Sequence, residues 1–402
     1  MTALSPEDIE LMRSISQIQD GVKFHFVPLV GYNPGYGFIF GASASLTNYG
    51  SQPSYYPSYK SRFDLGGNIM GDYGKALNAL WQKPLHSSGL SLAAFFRYNS
   101  GNTGRFYGYS GDPFGYDYTK DGLGNGSRNC YGRTMLTLGV QVTGRITKSW
   151  SWTGGLEFRS CDVTVPESGV LAEYAAAKLV SGGTDRMGLL KIGVTRDTRD
   201  RISDPTDGFK CDIYAFNVLS SGKYDLRAAG HTRLYFSTPS KRTTFAAHFG
   251  LQVNAIGGIP CIHKQEICAC TLEDNFGEGL GGQGTIRGII PGRIVGNGYE
   301  WTNFELRFRI IDKKSSLGRI LLAINPFLDS GSVIQPCNTA EIAAMRGISA
   351  DDVEKMSRKI HSSFGAGIKF GLDSSVFSIE AAKAFKEEDG PFTIYCSCNY
   401  CF

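Results

Sequence analysis

Gly281-Gly282-Gln283-Gly284-Thr285-Ile286-Arg287-Gly288-Ile289 is a glycine-crowded stretch holding one arginine, and an alternating segment, Tyr299 to Ile310, follows it. Glycine at that density lets a backbone turn tightly and take positive φ. A single long cation in their midst is placed to reach a partner elsewhere in the fold. In an extended strand Phe304, Leu306, Phe308 and Ile310 share one face and Glu305 takes the other.

Segments of this kind recur along the whole chain. Leu136, Leu138, Val140 and Val142 alternate with Thr137, Gly139, Gln141 and Thr143, and Phe245, Ala247, Phe249, Leu251 and Val253 alternate with Ala246, His248, Gly250, Gln252 and Asn254. One face is wholly apolar and the other carries His, Gln and Asn, the pattern of a strand with lipid outside and water inside. The pattern predicts strands over 22–30, 36–47, 60–70, 74–83, 88–98, 131–145, 148–161, 187–196, 208–219, 223–237, 242–255, 299–311, 317–329, 362–371, 375–385 and 392–402. These are near the roughly ten residues a tilted membrane strand needs and longer than the strands of most soluble sandwiches.

Composition agrees. The chain has 402 residues, 51 glycines, 20 tyrosines and 25 phenylalanines, with a mean hydropathy of −0.16. No run approaches the ~18 apolar residues of a membrane helix, a test that barrel strands escape because their two faces average out. A net charge of +4 over this length gives no argument for nucleic acid. Met1-Thr2-Ala3-Leu4-Ser5 lacks the basic and apolar regions of a signal peptide.

The connections show a second regularity. The very long ones, 99–130, 162–186, 256–298 and 330–361, all follow odd-numbered strands, whereas those after even-numbered strands are mostly tight, such as Thr238-Pro239-Ser240-Lys241. Long external loops and short periplasmic turns produce this; the polar piece Tyr49 to Tyr59 is the misfit. Helical pieces are expected over Gly169 to Val180, over Ala340 to Arg346 capped by Thr339, and over Ala350 to Arg358 capped by Ser349. Ser5-Pro6-Glu7-Asp8 reads as the start of a short helix running to about Ile18. The expected organisation is a periplasmic helix or extension over 1–21 and one barrel over 22–402.

Several segments carry a family resemblance. The chain ends Thr393-Ile394-Tyr395-Cys396-Ser397-Cys398-Asn399-Tyr400-Cys401-Phe402, with Ile394, Cys396, Cys398, Tyr400 and Phe402 on one face and an aromatic last residue. Asp197-Thr198-Arg199-Asp200 followed by Asp204-Pro205-Thr206-Asp207-Gly208, Phe327-Leu328-Asp329-Ser330-Gly331, Phe106-Tyr107-Gly108-Tyr109-Ser110-Gly111 and Asn303-Phe304-Glu305-Leu306-Arg307 fall at matching strand positions. In order, with the arginine stretch, they resemble the barrel domain of the outer-membrane barrel-assembly superfamily. That superfamily includes BamA-type insertases, TamA-type barrels and two-partner-secretion transporters.

The resemblance implies an all-β transmembrane antiparallel barrel of about sixteen strands in the bacterial outer membrane, with the sixth external loop inserted in the lumen. It implies that Arg287 and Gly288 lock that loop against Glu305 and Asp329, a job suited to the planar guanidinium fork. It also implies a weak lateral seam between the first and last strands. Pro28 lacks a backbone donor there, and Tyr400 and Phe402 belong to the terminal strand signal. With about twenty residues before the first strand, POTRA domains are not expected. Assisting the insertion or translocation of outer-membrane proteins would then call for partners: other assembly proteins or lipoproteins, in a membrane containing lipopolysaccharide. The other readings are an accessory barrel in a larger complex and a small-solute pore, against which a loop filling the lumen argues.

The remaining motifs are weaker. Gly277-Glu278-Gly279-Leu280-Gly281-Gly282 matches G-x-G-x-x-G, but that pattern means a dinucleotide site only between a strand and a helix. Cys261, Cys268 and Cys270 with His263 have the residue types of a zinc site. In an oxidising external loop the favoured reading is a disulfide, Cys261 with Cys268 or with Cys270, and no metal. Cys130 and Cys337 are further candidates, with each other or with this cluster. No serine, histidine and acid fall into a hydrolase pattern, so no catalytic residue and no cofactor is expected. Parity turns His25, His231 and His248 toward the lumen.

Overall fold

The computed structural model describes residues 21–402 apart from 34–36, 51–58, 71–73, 86–87, 114–116, 118–127, 202–203, 221, 258–265, 269–274, 316–317, 373–374 and 399–401. Its main element is one 16-stranded antiparallel sheet in which neighbours in sequence are neighbours in space. The strands are β1 (Gly21–Asn33), β2 (Gly37–Gly50), β3 (Ser61–Ile69), β4 (Gly74–Leu85), β5 (Leu90–Arg105), β6 (Cys130–Arg145), β7 (Trp150–Thr164) and β8 (Gly183–Asp197). They continue as β9 (Gly208–Ser220), β10 (Lys223–Ser237), β11 (Thr243–Gly257), β14 (Gly298–Ser315), β15 (Gly318–Gln335), β16 (His361–Leu372), β17 (Ser375–Ala384) and β18 (Thr393–Cys398). A small hairpin, β12 (Glu266–Cys268) and β13 (Asn275–Glu278), lies in the connection between β11 and β14 and was not expected.

Period-two alternation sets the two faces. In β14 Leu306 and Ile310 are exposed, whereas Glu305, Arg307 and Arg309 on the other face are buried. In β15 Ile320, Ile324 and Leu328 point out and Leu321, Ala323, Asn325 and Asp329 point in. The outward apolar side chains make the lipid-facing band, and the inward charged ones are shielded by what fills the barrel.

The filling comes from external connections. Phe106, Tyr109 and Tyr174 form a mutually edge-on aromatic triad with ring centroids 5.0 to 5.3 Å apart. Tyr174 belongs to α1 (Val170–Ala176), within the expected helical piece. Two more helices, α2 (Thr339–Arg346) and α3 (Ala350–Ser357), close over the same end. Arg346 pairs with Asp112 and Glu173, and Ser110 and Ser357 each donate a hydroxyl to the other's carbonyl. Ser349 caps α3 by accepting from the Asp352 N–H at 3.1 Å. The expected cap of α2 shifts by one residue: Thr339 lies inside the helix, and Asn338, in the left-handed region at φ 49°, precedes it without a side-chain cap bond. The expected N-terminal helix and the Tyr49 to Tyr59 connection fall wholly or mainly outside the described residues.

Candidate functional site: the arginine loop

The connection from Glu278 to Asn297 enters the barrel and is held there by apolar contacts first. Leu280, Ile286, Ile289 and Ile294 pack with Tyr299 and Trp301 in one buried cluster. The loop doubles back on itself, with the Leu280 and Ile294 backbones exchanging hydrogen bonds at 2.8 and 3.1 Å. Thr285 both accepts from the Gly281 N–H and donates to the Gly281 carbonyl. The glycines permit this path. Gly288 has φ +84°, and a Cβ placed on it would stand 2.9 Å from the Lys383 nitrogen of β17. The G-x-G-x-x-G match at 277–282 leads from β13 into this tight loop and not into a helix, so it has no nucleotide-binding geometry.

Arg287 lies at the centre, fully buried. Its Nε and Nη2 donate to the two Asp329 carboxylate oxygens at 2.8 Å each, and its backbone N–H donates to the same group at 3.0 Å. Nη1 donates to Glu305 at 2.6 Å and to Glu380 at 3.0 Å. The guanidinium sits 3.6 Å above the Phe327 ring centroid. Glu305 also accepts from Arg307, and Glu380 from Lys369. Three cations and three carboxylates, all with fully buried side chains, therefore form one neutral cluster. Burying so many charges is tolerable only because each is paired and hydrogen-bonded.

The structure thus brings together Arg287, Gly288, Glu305 and Asp329. It adds Glu380 and Lys369, which the sequence reading had passed over. Their signal was present: each is a lone charge between exposed apolar neighbours, Ile368 and Phe370 for Lys369 and Ile379 for Glu380.

The Omp85 superfamily domain matches residues 114–395, more than half of the chain. The chain belongs to the Omp85 superfamily. Among solved structures it is similar to BamA from Haemophilus ducreyi lacking POTRA domains 1-3, with TM-score 0.63 and 16% identity over 95% of this chain and 70% of that one. It is also similar to CdiB from Escherichia coli, with TM-score 0.57 and 11% identity over 98% of this chain and 70% of that one. At such identities the likeness concerns the fold. No curated protein sequence matches the chain. It is accordingly an Omp85 barrel of the bacterial outer membrane.

In this Omp85 barrel the sheet order is linear. β1 is bonded only to β2 and β18 only to β17, with no ladder between β1 and β18 among the described residues. Side chains on both faces of β1 are open, Phe24 at 66% and Val27 at 53% exposure. Pro28 lies within β1 opposite Ala42. β18 ends at Cys398, and Tyr400 lies outside the described residues.

Ile394 and Cys396 of β18 are exposed, whereas Phe402, which alternation sets on one face with them, lies on the lumenal side. Its ring lies 5.4 Å from the ring of lumenal His248 and 5.3 Å from the Arg307 guanidinium, and Arg307 donates to its carbonyl at 3.1 Å.

Of the cysteines, Cys261 and Cys270 lie outside the described residues and Cys268 ends β12. Cys130 is not in a disulfide whereas Cys337 is, so the two are not paired with each other. No cluster of metal ligands occurs among the described residues.

Two charged sites lie at the ends of the barrel. In the periplasmic turns Asp207 receives a hydrogen bond from Lys241, which lowers its carboxyl below the usual range and raises the Lys241 ammonium. Asp200 is pushed up by burial but more strongly down by the Thr206 hydroxyl and the Thr206 and Asp207 N–H groups, so its carboxyl is also lowered. At the external end burial, with Asp112 beside it, pushes the Tyr174 phenol well above its ordinary range.

Proposed function

We propose that this barrel assists the insertion or translocation of outer-membrane proteins through the seam between β1 and β18, and that Arg287 locks the loop that governs the seam. The observation that carries this reading is that β1 and β18 each have, among the described residues, one edge without a ladder, since free backbone donors and acceptors can pair with another strand. The arginine loop bears on that edge: the Gly288 N–H donates to the Tyr395 hydroxyl of β18 at 2.9 Å, and Glu305 joins Arg287 to the Arg307 that holds Phe402. Pro28 adds to the weakness of β1 by removing one donor. Lipids of the outer membrane, lipopolysaccharide among them, would surround the seam, and assembly proteins or lipoproteins would present clients to it.

A photo-crosslinking residue at Phe26 of β1 tests this in native membranes, with Ile192 of β8, a lipid-facing position exposed to a similar degree, as the control. Adducts with unfinished outer-membrane proteins at Phe26 and not at Ile192 are expected. Equal capture at both positions overturns the seam reading. Capture of folded assembly proteins alone makes the chain an accessory subunit.

A further inference from the structure

A chain of uncharged groups runs along the lumenal wall, over four neighbouring strands, beside the arginine cluster. The Tyr214 hydroxyl of β9 is 2.7 Å from Nε2 of His231 on β10. Nδ1 of His231 is 3.3 Å from Nε2 of His248 on β11, and Nδ1 of His248 is 3.0 Å from Oδ1 of Asn303 on β14. The Asn303 amide nitrogen donates to the Thr285 carbonyl of the arginine loop at 2.6 Å. Both histidines and Asn303 are buried.

The proton order in this chain follows from its last bond. A carbonyl can only accept, so Asn303 turns its nitrogen to Thr285 and its oxygen to His248. His248 must then carry its proton on Nδ1, which leaves Nε2 to accept from Nδ1–H of His231. Nε2 of His231 in turn accepts from the Tyr214 hydroxyl. With both rings neutral every link is satisfied in one direction only.

One extra proton can be taken without loss. It enters at Nε2 of His231, the phenol turns to accept, and the shared proton can sit on either ring of the pair. A second proton cannot be placed, because His248 would then set an Nε2–H against Nδ1–H of His231. We infer that Tyr214, His231, His248 and Asn303 form a proton-ordered strap on the arginine loop, which holds with at most one added proton and parts on the second.

The strap goes beyond the ion-pair lock, since it contains no charge when neutral and reaches the loop at Thr285. Its surroundings are charged on several elements. Arg233 and Asp212 pair beside His231, Arg307 stands behind Phe402, and Arg287 with Glu305 and Asp329 lies beyond Asn303. Acid also reaches those carboxylates, so the test must separate the two.

Amide exchange of residues 281–289, corrected for intrinsic rates, is followed in the detergent-solubilised full chain from about pH 8 to about pH 4. Wild type is expected to stay flat and then to open about tenfold with a two-proton dependence. The double variant His231→Gln/His248→Gln, whose amides can donate and accept but do not titrate, is expected to remain flat. Identical profiles for the two proteins, or a flat profile in wild type, would overturn the proposal. Should the double variant fail to fold, nitrogen-15 spectra of histidine-labelled wild type decide instead. Both rings must be Nδ1–H tautomers at neutral pH, and an Nε2–H tautomer on either ring refutes the order.

Discussion

The Gly288 backbone N–H donates to the Tyr395 hydroxyl at 2.9 Å, so the arginine loop is hydrogen-bonded to the last strand of the sheet. Among the described residues β18 is 6 residues long and pairs with β17, so a bond from inside the barrel adds to what holds it. Tyr395→Phe removes the acceptor and leaves the Gly288 N–H without it, at a cost of about 1–3 kcal/mol. Faster amide exchange over 393–398, with β8 to β10 unchanged, is the expected result; equal exchange across the sheet would remove the link.

Arg287→Ala leaves Glu305, Asp329 and Glu380 in a buried cluster whose remaining cations are Arg307, on Glu305, and Lys369, on Glu380. Removing one partner of such a group costs about 3–5 kcal/mol. A lower unfolding midpoint in urea and loss of the folded, fast-migrating band on unheated gels are expected. Arg287→Lys is expected to rescue little, because a single ammonium cannot reproduce a fork shared among three carboxylates. A lysine variant as stable as wild type would show that charge alone suffices.

Gly288→Ala meets two obstacles, a φ of +84° and a Cβ 2.9 Å from the Lys383 backbone nitrogen. Both act in the locked state only, so the substitution should displace the loop and leave the strands in place. Near-native strand content by circular dichroism, together with faster proteolysis within 281–297, is the expected outcome.

The periplasmic turns should answer to pH at both ends of the scale. The Asp200 and Asp207 carboxyls are lowered, so their contribution is full above the ordinary carboxylate range and is lost as pH falls through the folded values. Lys241 is raised, so its contribution is full below the ordinary lysine value and is lost as pH rises through the folded one. Amide exchange at Thr206 and Asp207, whose N–H groups donate to Asp200 at 2.8 and 3.1 Å, should therefore be slowest on the plateau between. Protection that does not change into the acid range would count against this.

The barrel was legible because alternation is read residue by residue: sixteen expected strands match sixteen observed, with shifted ends. The inward turn of Glu305 and Asp329 was legible for the same reason, since each alternates with the apolar residues of the opposite face, whereas their meeting with Arg287 was legible only through the family resemblance. Glu380 and Lys369 obey the same parity but lie 93 and 82 residues from Arg287, and nothing local ties them to it. Alternation alone set Phe402 on the face of Ile394 and Cys396, and its lumenal place beside His248 and Arg307 is a tertiary contact that alternation does not carry. The β12–β13 hairpin is a three- and a four-residue element, too short to carry a period. His231 and His248 were turned correctly to the lumen, but their pairing depends on the β10–β11 register, which two separate strands do not declare.

The external cap has a consequence for the order in which the molecule is made. Its bonds join Ser110 to Ser357 across 247 positions and Arg346 to Asp112 across 234, so they close some of the longest loops in the chain. Contacts that close long loops form late, because the chain entropy they remove is recovered only once the intervening structure is in place. Ten strands, β6 to β15 with the small hairpin included, lie between Ser110 and Ser357. A barrel still acquiring its last strands is therefore open at its outer mouth, and the seal over that mouth is a signature of completed folding.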